Sequence, residues 1–106
     1  MDVRFEPSRV VLRLEGELDL ASAQMLQRKL GSAELATRPM VVLDLDHLAF
    51  VDSTGLQIIL MAHERSRERG QEFAITRGSP QAQRLLSITG VTDHLRVVAS
   101  PDELLV

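Results

Sequence analysis

The chain has 106 residues, 44% of them hydrophobic, with 12 Lys and Arg against 15 Asp and Glu and a formal net charge of −3. That is enough chain and apolar content for one self-supporting domain, residues 1–106, with a globular composition. The acidic balance and the three aromatics (Phe5, Phe50 and Phe73) argue against a nucleic-acid binder, and the absence of cysteine excludes disulfides, thiol nucleophiles and thiolate metal sites.

No apolar run approaches the roughly 20 residues that span a bilayer, and Met1-Asp2-Val3-Arg4 opens no apolar leader. The expectation is a cytoplasmic protein with no membrane insertion and no direct nucleic-acid contact.

Val3 and Phe5 start an alternating pattern that Pro7-Ser8 interrupts as a turn. It resumes at Val10, Leu12 and Leu14 and closes at Gly16, which reads as two short strands. After Asp19, placed as an N-cap, Ala23, Leu26, Leu30 and Ala33 recur at helical spacing, predicting one amphipathic helix from Ala21 to about Ala36. Pro39 forbids continuation, and Met40 to Leu45 is the near-continuous apolar run of a strand covered on both faces. Asp52-Ser53-Thr54-Gly55 punctuates before a helix from Leu56 to Arg69, stopped by Gly70. Phe73-Ala74-Ile75 reads as a buried strand. Ser79-Pro80 opens a helix that ends at Gly90. Leu95, Val97 and Val98 make a last strand, and the Ser-x-x-Glu box at Ser100 opens a short final helix. The predicted class is α/β, a mixed sheet in the order β-β-α-β-α-β-α-β-α, with right-handed crossovers between parallel strands.

In such sheets functional groups gather beyond the carboxyl ends of parallel strands. Two loops qualify, Gly16-Glu17-Leu18-Asp19 and Phe50 to Gly55, and neighbouring strands would set Asp19 near Ser53. Ser53 lies at a helix start, where free N–H groups and the positive end of the dipole favour an anion such as a phosphate. Capping is the competing role: Thr54 with Gln57 forms a Thr-x-x-Gln box, and Asp52 or Ser53 could cap equally well.

Gly16-Glu17-Leu18-Asp19, Asp52-Ser53-Thr54-Gly55-Leu56 and Ser87-Ile88-Thr89-Gly90-Val91 stand in the order and spacing of the anti-sigma factor antagonist family, the STAS domains, which the whole chain resembles. The resemblance implies a STAS-like fold with partner docking over the Ser53 region. It implies that Ser53, with Thr54 as a secondary acceptor, is phosphorylated by a partner that is both anti-sigma factor and serine kinase, and that a phosphatase reverses this. Asp19 matches the family's second functional aspartate. Gln57 stands where the family often has a second glycine. The expected partner-binding set is Asp19, Asp52, Ser53, Thr54, Gly55, Leu56, Gln57 and Met61.

An off-switch follows from charge. Free Ser53, flanked by Leu56, Ile58 and Met61, would offer an easily desolvated surface, and phosphate would add roughly 1.5 to 2 negative charges beside Asp52, Asp19 and Glu17. The alternative is a STAS-domain regulatory subunit of a membrane lipid ABC transporter. An enzyme is a distant third, because no Gly-x-Ser-x-Gly elbow or phosphate-cradling loop occurs. No metal or cofactor is expected: Asp44 and Asp46 lie two apart with His47 following, but no further ligand keeps recognisable spacing, and Asp46-His47 reads as the solvated end of a strand. His63 and His94 read as surface residues, and Arg65, Arg67 and Arg69 as a solvated helix end paired with Glu64 and Glu68. The free chain is expected to be a monomer.

Overall fold

The structure, a computed structural model, describes residues 1–88 and 96–98. Its elements are β1 (Asp2–Glu6), β2 (Arg9–Glu17), α1 (Leu20–Leu30), α2 (Ala33–Ala36), β3 (Met40–Phe50), α3 (Ser53–Glu68), β4 (Glu72–Thr76), α4 (Pro80–Ile88) and β5 (Arg96–Val98). The expected helix stop at Gly90, part of the third motif, Leu95 and the final short helix lie outside the described residues.

The strands form one mixed sheet in the order β1-β2-β3-β4-β5. The first pair is antiparallel, Glu6 facing Arg9 across the expected Pro7-Ser8 turn, and the remaining pairs are parallel. Alternation along the strands sorts their side chains to two faces. Val10, Leu12 and Leu14 of β2, Val41, Leu43 and Leu45 of β3, and Phe73 and Ile75 of β4 join Leu26, Leu30, Leu35, Ile59 and Leu86 from the helices in the main core. Val11, Val42, Ala74 and Val98 make a smaller cluster on the opposite face.

Besides α3, which starts at Ser53 and not at Leu56, three elements depart from the sequence expectation. The helix predicted to run from Ala21 to Ala36 breaks in two, because Gly31 caps α1 and Ser32 caps α2, its hydroxyl accepting from Leu35 N at 3.2 Å. A glycine and a good capping residue in sequence make that break cheaper than continuing. Gly16 does not close β2. Its φ of +71° lies within a stretch of register shifts that lets pairing run on to Glu17 beside Phe50.

The same pairing carries β3 past Leu45 to Phe50, so exposed Asp46 and His47 lie within the strand and not at its end. Asp44 is buried, and its carboxylate accepts from Thr76 Oγ1 and from Asp46 N. Thr76 Oγ1 in turn accepts from Leu45 N at 2.7 Å, where β3 and β4 part after the Leu43–Ile75 pair.

No helix among the described residues is long and apolar enough to cross a membrane.

Candidate functional site

Both candidate loops follow neighbouring parallel strands, β2 and β3, at their carboxyl ends, and one glycine joins them. A Cβ on Gly55 would lie 3.1 Å from Leu18 Cδ2 and 3.2 Å from Val51 Cγ1, so the first turn of α3 sits directly against the loop that carries Asp19. The spatial pairing expected from topology is therefore achieved by backbone approach at a residue without a side chain.

Asp19 and Asp52 do the same job at the two helix starts. Asp19 is extended (φ −90°, ψ −177°), and its Oδ1 accepts from Ser22 N and Ser22 Oγ, each at 2.9 Å. Those hydrogen bonds, the backbone one first, hold its carboxyl below the usual aspartate value of 3.8. Asp52 is likewise extended, and its Oδ1 accepts from Gly55 N at 3.0 Å.

This assignment settles which residue caps α3. Neither Ser53 nor Thr54 is the cap, and the Thr-x-x-Gln box does not form, because Asp52 already holds the N–H at the third helical position. Ser53 becomes the first helical residue. Its side chain is exposed, and its hydroxyl makes no hydrogen bond among the described residues.

The other expected contact residues divide by burial. Gln57 is exposed and Thr54 half-buried, whereas Gly55, Leu56 and Ile58 are buried in the core. Leu56 and Ile58 therefore offer a partner no surface, contrary to the expectation that they flank Ser53. Helix geometry explains this: the apolar residues of α3 nearest Ser53 turn onto the sheet. Met61 is 47% exposed, and Gln27 Nε2 donates to its sulfur at 3.5 Å. The apolar surface at these loops comes instead from Leu20 and Phe50, 66% and 48% exposed. Sequence patterning set Phe50 in a candidate loop without reading it as exposed apolar surface, and did not single out Leu20. The available signal was position, since each directly adjoins a loop at the end of a parallel strand.

Gln81 was also missed. Its side-chain amide spans both sides of Val51, accepting from Val51 N at 3.1 Å and donating to Val51 O at 2.9 Å. A polar residue after Pro80 carries no such signal in sequence.

The arginines of α3 act on α1 more than on their own helix. Arg65 Nη1 donates to Gln27 O at 3.4 Å and Arg69 Nη1 to Leu30 O at 2.9 Å, satisfying carbonyls at the end of α1. No ion pair joins Arg65, Arg67 or Arg69 to Glu64 or Glu68 among the described residues. His63 is half-buried, its ring 5.6 Å from that of Phe73, and not the surface residue expected. His94 lies outside the described residues.

A concavity of about 240 Å³ opens beside the start of α1, floored by Leu14, Leu18 and Leu48 and edged by Asp19, Ser22 and Met25. Ser53 does not line it.

Comparison with known proteins adds the family. The STAS domain family matches residues 1–104. This chain belongs to the STAS domain family. An anti-sigma F factor antagonist of Paenibacillus polymyxa is 32% identical over 83 residues, covering 77% of this chain and 71% of the relative. The structure of the anti-sigma factor antagonist SpoIIAA in its unphosphorylated form superimposes with a TM-score of 0.78 at 18% identity, over 98% of this chain and 91% of that one. A sulfate transporter family protein from Wolinella succinogenes shares the fold with a TM-score of 0.78 at 21% identity, over 90% of this chain and 80% of that one. The STAS fold thus serves both regulators and transporters.

Proposed function

We propose that this chain is a cytoplasmic anti-sigma factor antagonist whose unphosphorylated form binds an anti-sigma factor with serine kinase activity, and that phosphorylation of Ser53 releases it. The observation that carries this reading is the division of labour at the start of α3. Asp52 caps the helix, so Ser53 is left exposed with an uncommitted hydroxyl. Modification of Ser53 therefore leaves the Asp52 cap of α3 in place.

The surroundings give the modification its effect. Leu20, Phe50 and Met61 supply exposed apolar surface that docking would desolvate at little cost. Glu17, Asp19 and Asp52 are all exposed around the same loops. A phosphate brings about 1.5 to 2 further negative charges there, so an interface closed over Ser53 would have to bury them against carboxylates. Docking is favourable without phosphate and unfavourable with it, and a phosphatase resets the switch. The antagonist relatives support the anti-sigma partner. The serine kinase and the phosphatase are what the family resemblance of the Asp52-Ser53-Thr54-Gly55-Leu56 motif implies.

The test uses wild type, Ser53→Ala and Ser53→Asp as parallel baits in extract of the source cell, followed by incubation with ATP and Mg²⁺. Wild type is expected to retain a partner that phosphorylates it at Ser53. Ser53→Ala should retain the same partner without being modified, and Ser53→Asp should lose it by tenfold or more, about 1.4 kcal/mol. Equal retention by Ser53→Asp overturns the switch. Capture of one membrane ATPase by all three baits replaces it with the transporter role.

A further inference from the structure

We propose that Gln81 is a positioning residue for the Ser53 acceptor, fixing the loop on which a kinase would meet it. This role rests on the phosphorylation reading above, but the contact that carries it does not.

The contact is a two-point clamp. Val51 is the last residue before the Asp52 cap, and its backbone has left the β3 ladder, which ends at Phe50. A backbone N–H and C=O buried at such a place need partners from elsewhere. Val51 is 1% exposed, and the Gln81 amide supplies both partners, at 3.1 and 2.9 Å, from the first turn of α4 thirty residues away. A primary amide carries an acceptor and a donor side by side, so it can replace the missing strand edge.

Anchorage at Val51 defines the path of the next two residues. Asp52 holds the first turn from within by its bond to Gly55 N, while Val51 and Leu18 enclose Gly55 from outside. The loop is therefore held on three sides, and Ser53 projects from a fixed base. A kinase that meets a fixed acceptor need not order the loop before transfer. A loop free to wander would present the productive geometry for only part of the time, and apparent affinity would fall by that fraction. Other side chains at the start of α4 do not substitute: Ser79 Oγ is used as acceptor for Ala82 N.

Amide hydrogen exchange of Val51 reads the clamp directly. Gln81→Leu removes both partners at similar size and is expected to speed Val51 exchange by about tenfold or more, with Val42 and Leu43 of the same strand unchanged as the control for folding. Gln81→Glu provides a conservative rescue with its own signature. At pH 7 its carboxylate still accepts from Val51 N but cannot donate to Val51 O, so the Val51 protection factor should be only partly restored there. It should rise further as pH falls below about 5, where the protonated carboxyl donates again.

With the kinase partner sought above, Gln81→Leu should raise KM about tenfold and leave kcat within about twofold. Unchanged Val51 exchange in Gln81→Leu overturns the clamp. Faster exchange with an unchanged KM overturns the positioning role. If no kinase acts on Ser53, the phosphorylation reading fails and takes the positioning role with it, while the exchange data still decide the clamp.

Discussion

At the start of α3 a carboxylate, a hydroxyl and a second hydroxyl compete in sequence for one task, and the backbone gives it to Asp52. An ionised acceptor makes the stronger bond to a helix N–H and also meets the positive end of the dipole. Asp52→Ala should therefore cost about 1 kcal/mol, while Ser53→Ala should stay within about 0.5 kcal/mol, both read from urea midpoints at constant m. A cost at Ser53 equal to that at Asp52 would contradict the assignment. Gly55 is the other decisive residue. Its missing side chain lets Leu18 and Val51 close to within 3.2 Å of where a Cβ would stand. Alanine gains helix propensity there but must push aside two buried neighbours, and the second effect is larger. Gly55→Ala should destabilise by about 1 kcal/mol and move the amide resonances of both Asp19 and Ser53, because it separates the loops. Both candidate loops were legible in sequence. Which residue capped and which was free was not, since Asp, Ser and Thr are all good N-caps and only backbone angles choose among them.

Among the elements, boundaries moved where a single residue had two local options. Gly31-Ser32 ends one helix and begins another, although the apolar spacing continues across both, so periodicity alone could not see the break. The long β3 shows the reverse. Asp46 and His47 suggest a strand that has reached water, yet pairing with Glu15, Gly16 and Glu17 of β2 prolongs it. Where β3 and β4 part, Thr76 substitutes for the ladder. Thr76→Val keeps the shape but leaves Leu45 N and the buried Asp44 short of a partner. It should cost about 1–3 kcal/mol in chemical denaturation, and a smaller loss than this would mean that water reaches Leu45 N.

For the whole molecule, the hairpin end carries a second charge network whose effect is pH-dependent. Glu6 accepts from Arg9 Nε at 2.7 Å and from Arg4 Nε at 2.8 Å, while Arg38 Nε donates to Glu6 O and its guanidinium lies 5.1 Å from the Phe5 ring centroid. The Arg9 bond above all holds the Glu6 carboxyl below its usual value of 4.5, as Ser22 does for Asp19 below 3.8. Both folded values are depressed. The stability they provide is thus complete above the unfolded values and declines as pH falls through them and on to the folded ones. Urea midpoints should change little from these two groups between pH 7 and about 5.5 and drop below about pH 4.5, and Glu6→Gln with Asp19→Asn should flatten that drop. An equally steep drop in the double variant would place the acid sensitivity elsewhere.

Strand and helix alternation, the opening hairpin, the Asp19 cap, the candidate loops and the family were all carried by sequence, because hydrophobic period, Pro and Gly punctuation and N-cap chemistry are local properties of the chain. Tertiary structure alone decided that Leu56 and Ile58 face inward while Leu20 and Phe50 face out, that Arg65 and Arg69 serve α1, and that Gln81 completes the Val51 backbone. Each of these joins residues about thirty or more positions apart, or depends on the rotation of a helix against the sheet. Local pattern fixes which residues can pair or hide, and only packing chooses the partner.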